Sequence, residues 1–161
     1  MNAWAFYDWA NSVYSLVITS TIFPIYYTIL TTHFNKKVFV PEIGEEKEVP
    51  VRYLINIFGQ NYEPDAILSF SYALSFLFVV LLSPFLSSLA DTIGNKKSFL
   101  QFFCYLGATS CMGLAMFTGM DNIFLGLLFS TTASIGFWGS LVFYNSFLPD
   151  IATPDRQDAL S

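Results

Sequence analysis

Residues 66–90 read AILSFSYALSFLFVVLLSPFLSSLA and contain no acidic or basic side chain. A helix needs about 20 mainly apolar residues to cross the hydrocarbon core of a bilayer, and this stretch is long enough. Three other stretches have the same character, so we predict transmembrane helices at residues 12–31, 66–90, 98–118 and 122–148. The predicted fold class is therefore an all-α, multi-pass membrane protein with four transmembrane helices and an extramembrane loop at residues 32–65.

The overall composition supports a membrane protein over a soluble one. Hydrophobic residues make up 54% of the 161 residues and charged residues only 12%, whereas a typical globular chain carries about 25% charged residues. A soluble domain of this size has too much surface to cover with so few charges. No run of basic residues suggests a nucleic-acid partner. In the loop, residues 36–41 and 48–58 are rich in β-branched and aromatic side chains, which predicts a short hairpin.

The sequence lacks the residue patterns of the common catalytic sites. It contains no zinc-protease, nucleophile-elbow, dithiol or phosphate-loop motif, and none of the four spans holds two ionisable groups that could form an intramembrane catalytic pair. The single histidine, His33, is expected to be solvated in the loop. Cys104 and Cys111 would lie roughly 10 Å apart on a helix, too far for a disulfide. We therefore expect no enzymatic activity, no catalytic residue, no metal and no cofactor.

The turn between the second and third helices carries charges at unfavourable helix ends. Asp91 comes at the C-terminus of the second helix, and Lys96 and Lys97 come at the N-terminus of the third, so each charge opposes the local helix dipole. Gly94 supplies the backbone freedom for a tight reversal. Two interpretations remain open: a functional turn whose charges have specific partners, or an ordinary interfacial turn whose lysines set the topology.

Polar residues form stripes on the first and fourth predicted helices. These stripes line a water-filled path in some membrane proteins and hold helices together in others, and the residues alone favour packing. The stripes are Asn11, Ser15 and Thr19 on the first helix, and Ser130, Ser134 and Trp138 on the fourth, with Asn145 further along. A stripe of small residues on the third helix predicts close helix packing; its members are Gly107, Cys111, Ala115 and Gly119.

The start of the first helix contains residues suited to a membrane interface. Asn11 and Ser12 are good N-cap residues, and Asp8 would complement the helix dipole at that position. The aromatic ring of Trp9 favours the headgroup level of a bilayer. We therefore predict that the helix begins near residue 12. Basic residues occur on both sides of the predicted membrane, so charge counting leaves two orientations open.

The turn at residues 87–97 resembles the signature between helices two and three of the major facilitator superfamily. Residues Leu89, Ala90, Asp91, Gly94 and Lys96 match that signature, and Ser87, Thr92 and Asn95 differ from it. Residues 2–12 and 137–151 look like two segments of its vacuole effluxer-like branch, which includes an autophagy-related vacuolar amino-acid effluxer and many bacterial members.

This resemblance implies a twelve-helix transporter with two six-helix halves that alternate access to a central cavity. It implies that helices one and four line the cavity and that Asp91, Gly94, Lys96 and Lys97 form a cytoplasmic gate. It also implies a cytoplasmic N-terminus, and we expect a bacterial inner membrane. The chain would then be the N-terminal portion, with the remaining helices as its partner in the bilayer.

The function expected from the resemblance is secondary active transport of a small solute, for example amino-acid efflux. The partners of such a protein are the solute, the lipid bilayer and, where transport is ion-coupled, a coupling ion. A second hypothesis is a small four-helix membrane scaffold that has no transport activity. Further spans encoded in the same reading frame would favour the transporter.

Overall fold

The structure is a computed structural model that describes residues 2–40 and 45–147, with side chains for 6–33, 51–88, 92 and 94–147. Four of its helical stretches are long and apolar enough to cross a membrane, so the predicted fold class is confirmed. We call these stretches the first to fourth spans; they are Phe6–Thr31, Pro64–Ser88, Lys96–Met116 and Met120–Ser146. Residues 148–151, which contribute to the resemblance, lie outside the described part.

Each span consists of one to three consecutive helical elements. The first span contains α1 (Asn2–Val13), a π-helix (Tyr14–Ile22) and α2 (Phe23–Thr31). The second span lies in α3 (Pro64–Ile93). The third is α4 (Lys96–Gly113) with a 3₁₀ turn (Leu114–Met116), and the fourth is a 3₁₀ turn (Met120–Asn122) followed by α5 (Ile123–Ser146).

The first helix starts at Asn2 rather than near residue 12, which corrects the predicted boundary. Asn11 and Ser12 therefore lie inside a helix and do not cap its start. The Ser12 hydroxyl donates a hydrogen bond to the Trp9 carbonyl oxygen at 2.8 Å. Short polar side chains can satisfy themselves on a preceding carbonyl in this way, so they are tolerated within helices as well as at N-caps.

The π-helix in the first span is unusually long. Such helices occur mostly as single-turn bulges and often near functional sites, whereas this one covers nine residues. Two side chains follow its wider spacing: the Ser20 hydroxyl donates to the Ser15 carbonyl at 2.8 Å, and the Thr21 hydroxyl donates to the Leu16 carbonyl at 2.7 Å. The sequence did not lead us to predict this segment.

Two β-hairpins connect the first and second spans. Strands β1 (Thr32–Val40) and β2 (Glu45–Arg52) pair in antiparallel fashion, which confirms the predicted hairpin, although its second strand ends before residue 58. Strands β3 (Ile55–Ile57) and β4 (Gln60–Tyr62) form a second hairpin.

The turn of the second hairpin has positive φ at both central positions, +51° at Phe58 and +83° at Gly59. This is the pattern of a type I′ turn. For a residue with a side chain, a positive φ costs roughly 1–2 kcal/mol. The Asn56 side-chain oxygen supports the turn by accepting a hydrogen bond from the Gly59 N–H at 3.2 Å.

The main apolar cluster lies at the end of the spans next to the hairpins. It joins α2, the second hairpin, α3 and the start of α5 through buried side chains: Phe23, Tyr27, Ile55, Leu68, Phe117, Ile123 and Leu127. Tyr27 is fully buried, and its hydroxyl donates to the Pro64 carbonyl oxygen at 3.1 Å. This end of the first span is therefore fixed to the second span.

The third and fourth spans approach each other most closely at a glycine pair. A Cβ atom built on Gly136 would lie 2.5 Å from the Gly107 nitrogen, so the two backbones are in direct contact there. This confirms the predicted packing role of Gly107. Gly119 differs, because it lies beyond the end of α4 and has open space around its Cα. Small residues at such crossings are typical of helix packing in lipid.

Candidate functional site

A cavity of about 300 Å³ lies between the first, third and fourth spans. Its wall is apolar apart from hydroxyl, amide and thiol groups. The residues that line it are Tyr7, Ala10, Asn11, Tyr14, Phe103, Cys104, Gly107, Ala108, Cys111, Ala133, Gly136, Phe137 and Ser140. Gly107 and Gly136, which are in close contact, both line the cavity. The packing of α4 on α5 therefore helps to shape it.

Two tyrosines of the first span reach across to the fourth span beside this cavity. The Tyr7 hydroxyl donates to the Ser140 hydroxyl oxygen at 2.8 Å, and the Tyr7 ring stacks on Tyr144 with centroids 4.7 Å apart. The Tyr14 and Ser134 hydroxyls are hydrogen-bonded at 3.1 Å. The tyrosines are seven residues apart, about two α-helical turns, so both lie on the helix face that meets α5.

These hydrogen bonds satisfy groups that would otherwise be costly at membrane depth. Ser134 and Ser140 are each only 2% exposed, and a buried hydroxyl without a partner is strongly unfavourable in an apolar medium. Ser140 also donates to the Phe137 carbonyl oxygen at 2.8 Å, so a short chain of hydrogen bonds runs from Tyr7 into α5. The first span is thus attached to the fourth through neutral polar contacts.

The structure separates the predicted cavity-lining residues of the fourth span. Ser134 is buried beneath Tyr14, whereas Trp138 and Asn145 line a different recess of about 210 Å³ that also includes Phe76 and Val80 of the second span. Trp138 is rotated from Ser134 by about 40° around the helix axis, and Asn145 lies about three helical turns beyond Ser134, so both have neighbours different from those of Ser134.

The residues of the predicted polar stripe on the first span also have different surroundings from one another. Asn11 lines the cavity. The Ser15 hydroxyl donates instead to the Ser12 carbonyl oxygen at 3.1 Å. Thr19 comes five residues after Tyr14, and the π-helix places residues at that spacing on one face.

The predicted gate residues lie where the second and third spans meet. Asp91 falls in the last turn of α3, and Lys96 begins α4; the side chain of Asp91 lies outside the described residues. Gly94 has a φ of +68°, a conformation that suits glycine and reverses the chain. Lys97 is exposed.

The residues at the start of the first helix lie at the surface of the described structure. Asp8 and Trp9 are both exposed, and the Trp9 ring contacts Phe6 with centroids 5.7 Å apart. The sequence analysis missed the roles of Tyr7 and Tyr14. Their seven-residue spacing was the available signal, since it places both on one face of an α-helix.

Comparisons with known proteins point to a transporter family. A family model described as vacuole effluxer Atg22 like matches residues 1–160. The chain is 34% identical over 160 residues to an uncharacterized MFS-type transporter, YxiO, of Bacillus subtilis (strain 168), covering 99% of this chain and 32% of the relative.

A second relative is an uncharacterized protein of Aquifex aeolicus (strain VF5). It is 26% identical over 146 residues, which cover 91% of this chain and 30% of the relative. The chain therefore spans about a third of the length of these curated relatives. No solved structure matches it.

Proposed function

Because this chain belongs to the vacuole effluxer Atg22-like family, we propose that it is the N-terminal part of a secondary transporter of a small solute. Support comes from the four spans and from the relative named as an MFS-type transporter. The chain spans only about a third of its relatives, so we propose that further helices of the same protein complete a twelve-helix fold. The two halves of that fold would alternate access to the solute.

The cavity between the first, third and fourth spans is the observation that carries this proposal. Its volume of about 300 Å³ lies at the small end of ligand pockets. The amide of Asn11 and the hydroxyls of Tyr7 and Tyr14 offer hydrogen-bond donors and acceptors within an otherwise apolar wall. Such a surface suits a small solute with a few polar groups, and we propose amino-acid efflux as its specific form.

The turn from Asp91 to Lys97 is the proposed gate. We propose that Asp91 contacts a helix of the second half in one conformation and releases it in the other. In that arrangement the N-terminus and the gate face the cytoplasm of a bacterial cell. Two features support the gate: the charges sit at helix ends where the dipole disfavours them, and Gly94 holds the turn in a tight reversal.

The test is a transport assay of the full-length protein in liposomes with a panel of radiolabelled amino acids. We expect Asp91→Asn to slow transport without preventing insertion, and Asn11→Leu to reduce transport by filling the cavity. Asp121→Asn is the matched control, because Asp121 is an exposed acid in the first turn of the fourth span, away from the proposed gate. Normal transport by Asp91→Asn would refute the gate. A protein that inserts and oligomerises but moves no solute would favour a scaffold.

A further inference from the structure

The second hairpin ends in an aromatic ring that contacts none of the described residues. The exposed fraction of Phe58 is 104%, the highest of any large hydrophobic side chain in the described part of the chain. Phe58 also adopts a positive φ of +51°. The first central position of a type I′ turn is usually asparagine, aspartate or glycine, which tolerate that conformation. Phe58 therefore occupies an unfavourable conformation without a packing contact in return.

The hairpin is fixed in place although its tip is free. Ile55 is 6% exposed and belongs to the apolar cluster with Tyr27 and Leu68. Just before the hairpin, the Tyr53 N–H donates to the Thr31 carbonyl oxygen at 2.9 Å. Arg52 and Asp65 form an ion pair on either side of it. A strained turn on a well-anchored hairpin indicates that the exposed location of the Phe58 ring has a function.

Connectivity places the hairpin at the surface of the membrane. The first span ends at Thr31 and the second begins at Pro64, and Ile55 of the hairpin packs against Tyr27 and Leu68 near these two ends. Tyr62 of the hairpin is 42% exposed, and just before the hairpin Tyr53 is 44% and Leu54 56% exposed. Aromatic rings next to charged and polar groups are typical of the layer where lipid headgroups meet the acyl chains.

From these observations we propose that the hairpin Ile55–Tyr62 is a membrane-interface anchor and that the Phe58 ring inserts among the lipid headgroups. Its partner is the lipid bilayer rather than another protein, because the hairpin joins two membrane spans and aromatic rings beside polar groups suit the headgroup layer. The anchor would hold the ends of the first and second spans at a fixed depth. This proposal does not depend on whether the protein transports a solute.

The experiment measures the depth of a fluorophore on the hairpin. The full-length protein, with its native cysteines replaced by serine, carries Phe58→Cys labelled with an environment-sensitive dye. It is reconstituted in phosphatidylcholine–phosphatidylglycerol liposomes that contain lipids with a quencher near the headgroup. The matched control is the same label at Gln60→Cys, which is exposed two residues away on β4. Unchanged gel-filtration behaviour of both variants confirms folding.

We expect the label at position 58 to be quenched by the lipid quencher about twofold or more beyond the label at position 60. Aqueous iodide should give the opposite order. Equal quenching by iodide at both positions would show that Phe58 faces water, and this outcome overturns the proposal. Protection of position 58 from both quenchers would show that another protein segment covers it, which also overturns the proposal.

Discussion

Replacing Gly136 by alanine tests how the third and fourth spans pack. The added Cβ atom would lie 2.5 Å from the Gly107 nitrogen, 2.6 Å from the Gly107 Cα and 2.9 Å from the Phe103 carbonyl oxygen. All three are backbone atoms, so no side-chain rotation can relieve the contact. Because ordinary contacts of a Cβ atom start near 3.4 Å, α4 and α5 must separate by roughly 1 Å.

The expected loss of stability follows from two opposing terms. Overpacking a well-packed contact costs about 1–3 kcal/mol, and alanine offsets up to about 1 kcal/mol of this through its better helix propensity. Helices in lipid associate through close van der Waals packing rather than through the hydrophobic effect, so a separation at this crossing also weakens neighbouring contacts. We therefore expect a net loss of about 1–2 kcal/mol.

The measurement is a denaturant titration that records the unfolding of the full-length protein in detergent. Gly107→Ala is the matched control, because its Cβ atom would lie 3.6 Å from the Gly136 carbonyl carbon and the Phe137 nitrogen, which is ordinary contact. We expect Gly107→Ala to unfold at the same midpoint as the unmodified protein or slightly later. Equal midpoints for the two variants would contradict the packing described here.

Two further predictions concern the first span. Tyr14→Phe removes the partner of the buried Ser134 hydroxyl and should cost about 0.5–1.5 kcal/mol of unfolding free energy. Tyr26→Phe, at an exposed tyrosine, is the control and should change the unfolding free energy little. Equal losses in the two variants would refute the hydrogen bond. Hydrogen–deuterium exchange should be faster in the π-helix than in α2, because no residue of the π-helix is buried whereas Phe23, Tyr27 and Thr31 are. Equal protection would show that the first span opens as one unit.

The number of spans was predictable because an apolar stretch of about 20 residues is a local signal. It needs no knowledge of how the helices pack. The hairpin of β1 with β2 was predictable for a similar reason, since β-branched residues on both sides of a turn mark strands locally. Asn11 and Ser12 are good N-cap residues, so the first helix was predicted to start there. Short polar side chains of this kind also lie inside helices when they bond to nearby backbone carbonyls, and the predicted start was therefore too late.

The cavity was only partly predictable, because it depends on which helix faces meet. Asn11, which the sequence singled out, lines the cavity, whereas Tyr7 and Tyr14 acquire their positions from contacts with Ser140 and Ser134, more than a hundred residues away in the chain. Sequence spacing alone does not choose the partner helix. The π-helix was not predictable either, since the same residues also fit an α-helix.

The contacts of the first span indicate which part of it can move. Its hairpin end is held by an apolar cluster in which Phe23 and Tyr27 are buried, so moving α2 would disrupt packing with three other elements. Its N-terminal half is joined to α5 through Tyr7 and Tyr14, each hydrogen-bonded to one serine.

Two neutral hydrogen bonds contribute about 1–3 kcal/mol together, and the stacking of Tyr7 on Tyr144 and of Tyr14 on Phe137 adds about 0.5–1.5 kcal/mol for each pair. The binding of a small solute can supply a free energy of this size. A π-turn contains about one residue more than an α-turn, so conversion of one turn would rotate the N-terminal half relative to α2. Tyr7 and Tyr14 also line the cavity, so in the proposed transporter a solute that bonds to their hydroxyls would compete with the contacts that hold the first span to the fourth. We therefore expect solute binding to loosen the N-terminal half of the first span and leave α2 in place.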